Sequence, residues 1–121
     1  MSEEEKEKNF KLFKKIFSKE YFVLEREIKR ICLRWPLVKM VILFGSIAQG
    51  KFSEDSDYDL LFVLENIKDK KIEMIKKDIL NTLLDAELDR FPNVLVWSEG
   101  KLMNPFLLKN ALREGVTLWS Q

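Results

Sequence analysis

Asp57 and Asp59 are the residues best placed to do chemistry. They open the apolar run "DYDLLFV", residues 57–63. In a strand, side chains alternate between faces, so the two carboxylates point one way while Tyr58 and Leu60 point the other. Two carboxylates held that close repel each other and are costly to desolvate. A divalent cation between them removes both penalties. Magnesium suits such a pair best, because it is commonly held by one or two carboxylates while substrate phosphates and water complete its shell. Upstream, Gly45-Ser46 ends a second apolar run, "KMVILF", residues 39–44. A glycine after a buried strand permits a tight turn and close approach of the backbone to a ligand. Ser46 is placed to cap a short helix at residues 47–49, and the free N–H groups of such a helix start favour phosphate. The two features together describe a site for a metal-bound phosphate compound.

The elements that must position these residues follow from periodicity. Residues 3–34 read as one long amphipathic helix. Ser2 is its N-cap, Glu3, Glu4 and Glu5 lie in the first turn, and Phe10, Phe13, Phe17, Tyr21, Leu24, Ile28 and Ile31 form a stripe at spacings of three and four. Trp35-Pro36 ends it, since the residue before proline is pushed away from helical angles. The runs 39–44, 58–64 and 93–97 read as strands. Residues 68–90 return to helical period, with Ile72, Ile75, Ile79, Leu83 and Ala86 on one face. "NPFLLKNALREG" reads as a closing helix with Asn104 as N-cap, Pro105 in the first turn and Gly115 just past the end, and 116–119 as a final short strand. The fold class is therefore α/β (α+β): a small mixed sheet flanked by helices, with a long N-terminal helix. Residues 1–36 form the helical segment and 37–121 the sheet-bearing part of one compact domain. Phe10, Phe13 and Phe17 lie beyond the length a small sheet needs covered. Packing on a partner or a second copy, hence a homo-oligomer, stands beside self-contained core packing.

Composition narrows the possibilities. The 121 residues suffice for one modest core, and a net charge of +1 gives no global case for nucleic acid or a membrane surface. With no His and one cysteine, Cys32, His-based catalysis, His metal sites and internal disulfides are excluded. "MSEEEKEKNF" lacks the apolar core of a signal peptide, and no apolar run approaches a membrane span, so a cytoplasmic location is expected.

"FGSIAQGKFSEDSDYDLLF", with Gly45-Ser46, ten residues and then Asp57-Tyr58-Asp59, resembles the signature of the minimal nucleotidyltransferases, small members of the DNA polymerase beta-like superfamily. The resemblance runs over about residues 37–119, since "NPFLLKNALREGVTLW" is similar to that family's closing helix and strand. It implies a nucleotidyltransferase fold and transfer of a nucleoside monophosphate from an NTP with Mg2+. By matching position, Gly45 and Ser46 would grip the phosphates, and Asp57 and Asp59 would bind metal and carry catalysis. Two departures stand out. Where the family often has a basic residue in the Gly-Ser loop, this chain has Ile47, Ala48 and Gln49; Lys51 is the nearest cation able to reach a phosphate, and a solvated loop role also suits it. The family's third metal-binding acid would fall on "NVLVW", which has none; Asn93 or Leu95 takes its place, with Asp89 and Glu99 flanking. The resemblance further implies Mg-ATP as the nucleotide, AMP transfer to a protein hydroxyl, and a HEPN-domain ribonuclease toxin as the partner of an antitoxin. A non-catalytic partner-binding protein that keeps the fold is the alternative, and the missing acid favours it.

Overall fold

The computed structural model describes residues 2–121. Helices α1 (Glu3–Ile16) and α2 (Ser18–Arg34) lead into strands β1 (Val38–Phe44) and β2 (Tyr58–Leu64). Then come α3 (Asp69–Asp85), β3 (Pro92–Ser98), α4 (Pro105–Glu114) and β4 (Val116–Ser120). The four strands form one mixed sheet in the order β3-β2-β1-β4. β1 runs antiparallel to both neighbours, while β2 and β3 are parallel and joined through α3. The mixed sheet flanked by helices is the fold class read from the sequence.

The helical span 3–34 is present but not continuous. Phe17 has φ −116° and ψ 41°, outside helical angles, and separates α1 from α2. A straight helix over those residues would be about 48 Å long, whereas seven-residue strands extend about 23 Å. The bend lets both amphipathic helices reach the same small sheet. It costs little backbone bonding, because Phe17 still donates to the Phe13 carbonyl and accepts from Tyr21, both at 2.9 Å. Of the two packings left open for the early phenylalanines, the interface and the chain's own core, the second is found. Phe10 and Phe13 are buried in the chain's own core and Phe17 packs against it, with Phe13 meeting the rings of Phe17, Tyr21, Phe52 and Tyr58.

Strand alternation gives the sheet two unlike faces. Val41, Leu43, Tyr58, Leu60, Phe62 and Leu64 pack against α1, α2 and α3. Ile42, Leu61 and Val63 point the other way and pack against α4 through Ala111 and Leu108. α3 stops at Asp85, short of the expected 90; Glu87 adopts a left-handed φ of 53°, and the chain turns back so that Pro92 pairs with Tyr58. α4 has the expected punctuation at its start, where Asn104 accepts from the N–H of Phe106 and Leu107. At its end, Gly115 has φ −79°, which any residue adopts. Glycine is needed there for space, since a Cβ would come within 2.2 Å of Ile42 Cγ2 and 2.3 Å of the Ala111 carbonyl. Among the described residues no helix is long and apolar enough to cross a membrane.

Candidate functional site

The site lies where β1 ends and β2 begins. Phe44 pairs with Asp59 across the antiparallel ladder, so the next residue, Gly45, meets the Asp59 side chain. Gly45 has φ +78°, and a Cβ on it would sit 2.0 Å from Asp59 Oδ2. Both its conformation and its neighbour demand glycine. Residues 46–49 then make a single helical turn. Gln49 N–H donates to the Gly45 carbonyl at 3.1 Å, Gly50 N–H to Ile47 at 3.2 Å and Lys51 N–H to Ser46 at 2.8 Å. The last two bonds, with Gly50 at φ +77°, are a Schellman closure. No backbone carbonyl among the described residues accepts from the N–H of Ser46, Ile47 or Ala48. Of these three donors only that of half-buried Ser46 lies where a phosphate could reach it, since Ile47 and Ala48 have no exposed surface. Ile47 and Ala48 are fully buried and fasten the turn to the core.

Asp57 and Asp59 are brought together as their spacing requires. A single donor, the Asn93 side-chain N–H2, reaches both carboxylates, at 3.2 Å to Asp57 Oδ2 and 3.1 Å to Asp59 Oδ1. Asn93 stands opposite Asp59 in the parallel ladder, so of the two candidates for the third acid's place it is Asn93, not Leu95, that faces the pair. Asp57 and Asn93 are exposed and Asp59 is half-buried. Burial raises the Asp59 carboxyl above its ordinary value, the Asn93 hydrogen bond draws it down, and the charge of Asp57 raises it.

The donor set fits magnesium. Hard carboxylate oxygens converge on one point, and the partly positive amide bridging them marks a position that attracts positive charge. The flanking acids do not join it. Glu99 lies past the far end of β3 and pairs with Lys39 at 2.6 Å, and Asp89 lines a concavity beside Lys19 and Glu20. No group of three or more acidic, Cys or His ligands occurs among the described residues. Lys51 closes the turn through its backbone, and its side chain is exposed without an ion pair among the described residues. Sequence reasoning missed Arg90, which is buried and donates to the loop carrying Asp57. The available signal was slight: it is the single Arg between residues 35 and 112 and stands three positions before Asn93.

Comparison with known proteins identifies the family and the fold. The polymerase beta nucleotidyltransferase family matches residues 26–121. A Methanocaldococcus jannaschii protein, provisionally named a protein adenylyltransferase, is 32% identical over 88 residues, covering 68% of this chain and 79% of that one. A crystal structure provisionally named a nucleotidyltransferase, from Sulfolobus solfataricus, superposes with a TM-score of 0.58 at 21% identity, over 85% of this chain and 82% of the other. A toxin–antitoxin structure with AMP-PNP superposes at 0.57 and 21% identity, and a mutant MntA–HpeT toxin–antitoxin structure at 0.56 and 19%, each over 80% of this chain and 73% of the other. The chain belongs to the polymerase beta nucleotidyltransferase family.

Proposed function

We propose that the chain binds Mg-ATP at Gly45, Ser46, Asp57 and Asp59 and transfers AMP to a protein hydroxyl. The observation that carries this reading is the convergence of the two carboxylates, bridged by Asn93, beside a glycine turn where the Ser46 N–H has no backbone acceptor among the described residues. Asp57 and Asp59 hold magnesium. The Ser46 N–H and hydroxyl hold the terminal phosphates, and Lys51 adds positive charge at the rim. Magnesium, when bound, neutralises phosphate charge and stabilises the charge that grows on the departing pyrophosphate. The acceptor oxygen attacks the α-phosphate in line, the bond to the bridging oxygen breaks, and the hydroxyl proton leaves to solvent. Asn93 donates where a third acid would accept, so it orients the two carboxylates and does not deprotonate the acceptor.

The partner in this reading is a HEPN-domain ribonuclease toxin, with this chain as its antitoxin in the cytoplasm, where Mg-ATP is abundant. The name of the Methanocaldococcus jannaschii relative and the toxin–antitoxin structures with this fold support it. Incubating the chain with its toxin partner and Mg-ATP should add AMP to the partner, read by mass spectrometry, and the double variant Asp57→Asn/Asp59→Asn should abolish the adduct. Absence of both adduct and nucleotide binding in the wild type would overturn the reading. Asn93 favours a second reading, a non-catalytic antitoxin that binds its partner and nucleotide without transfer. Nucleotide binding with no adduct would select it.

A further inference from the structure

We propose that Arg90 is a positioning residue for Asp57, a role that rests on the metal-site reading above. The four residues before Asp57, Ser53–Ser56, form an exposed turn closed mainly on itself, with Ser53 N–H donating to Ser56 Oγ at 2.8 Å and Asp55 N–H to Ser53 Oγ at 3.2 Å. Such a turn has little to fix it to the protein. Arg90 supplies the attachment. Its side chain is 2% exposed, and Nη1 donates to the carbonyls of Ser53 at 2.7 Å, Ser56 at 2.8 Å and Glu54 at 3.4 Å. Nε faces the Glu20 carboxylate of α2, which also accepts from the Tyr58 hydroxyl. The guanidinium lies over the Phe17 and Phe13 rings, with Cζ 4.5 and 5.2 Å from their centroids.

Asp57 is thereby pinned from both sides by consecutive residues. Arg90 holds the Ser56 carbonyl before it, and the Phe91 carbonyl accepts from Tyr58 N–H after it at 2.9 Å. Asn93 then holds its carboxylate. The anchoring runs through α1, α2 and the bend at Phe17, and α1 lies outside the residues matched to the family. A fork of fixed donors suits this task where an ammonium does not, because one planar group must serve several carbonyls and a carboxylate while stacking on aromatic faces. The need is real for a magnesium ligand on an exposed loop, since magnesium demands near-ideal geometry.

The test uses Mn2+ as the probe and reads its binding to the full chain by electron paramagnetic resonance. Arg90→Lys keeps the charge beside Glu20 but loses the fork. It should bind Mn2+ about tenfold more weakly, the low end for losing a partner that orients a metal ligand. In an Asp57→Asn background the same change should weaken Mn2+ binding no further, because the effect acts through Asp57. Glu20→Gln removes the charge facing Nε but leaves the carbonyl contacts, so it should lower Tm and weaken Mn2+ binding less than Arg90→Lys does. If Arg90→Lys does not give the wild-type circular dichroism spectrum, Phe17→Leu carries the test by removing the ring under the guanidinium, and should weaken Mn2+ binding in the same direction. Wild-type Mn2+ binding matched by the folded variant would overturn the proposal alone. Absence of Mn2+ binding in the wild type would overturn the metal-site reading and this proposal with it.

Discussion

The two faces of the sheet have been given different work. Against α1, α2 and α3 the strands present fully buried Leu43, Tyr58, Leu60, Phe62 and Leu64, met by Phe13, Leu24, Ile31, Ile75 and Ile79. The opposite face has one ten-residue helix, four buried residues in its core, and Leu95 and Trp97 only half covered. Asp57, Asp59 and Asn93 belong to that second face. Because strand alternation is strict, Tyr58 is anchored in the large core while the acids on either side of it project from the opposite face. The first face holds the larger buried core, and the carboxylates stand at the edge of the smaller one.

Phe13→Ala should show the largest effect that this contrast allows. The residue is fully buried among four aromatic rings, so its loss should cost about 3–5 kcal/mol in chemical denaturation. A loss below about 1 kcal/mol, the scale of a typical point substitution, would mean that α1 is not part of the working core. Gly45→Ala should damage both faces at once. The left-handed backbone would cost about 1–3 kcal/mol, and the new Cβ would displace the Asp59 carboxylate. Melting temperature and the magnesium response should fall together; loss of one without the other would separate the turn from the acids. Ser46→Ala sharpens the contrast from the functional side. It should leave stability unchanged and weaken Mg-ATP binding by about 1 kcal/mol, one hydrogen bond, by calorimetry. The smallest effect is expected from Asp59→Asn without ligand. The folded carboxyl of Asp59 lies above its ordinary 3.8, so the folded state holds this proton more tightly than the unfolded state. Its ionisation therefore erodes stability as pH rises from about 3.8 through the raised folded value, and the penalty is complete at neutral pH. The variant should be slightly more stable than wild type at neutral pH and lose that advantage as the pH is lowered through this window.

The arrangement of the candidate site was legible in the sequence because its parts are short-range. Gly45-Ser46 and Asp57-Tyr58-Asp59 sit at the two ends of the one loop that joins β1 to β2, and strand alternation alone aligns the acids. The ends of α4 and the two central strands were legible for the same reason: Asn104 and Pro105 act within one turn, and the apolar runs are uninterrupted. The break at Phe17 was not, because residues 14–20 contain no Gly or Pro and local preference runs straight through. The aromatic cluster around Phe52 and the limited size of the sheet impose it. Gly115 was legible as a required glycine but for another reason, since its need is contact with β1 and not a left-handed cap. Arg90 was hidden because its partners, Glu20 and the Ser53–Ser56 carbonyls, are at least 34 positions away in the chain.

Whether Asp57 and Asp59 hold a metal nucleotide is tested most directly by thermal melts of the wild type and of Asp57→Asn/Asp59→Asn, each with and without Mg-ATP. Ligand stabilisation follows ligand affinity. The wild type should rise in melting temperature with Mg-ATP. The double variant should match or exceed the wild type without ligand, since mutual repulsion is removed, and should lose the magnesium-dependent rise. A full Mg-ATP response in the double variant would contradict the metal-site assignment and return both acids to a structural role.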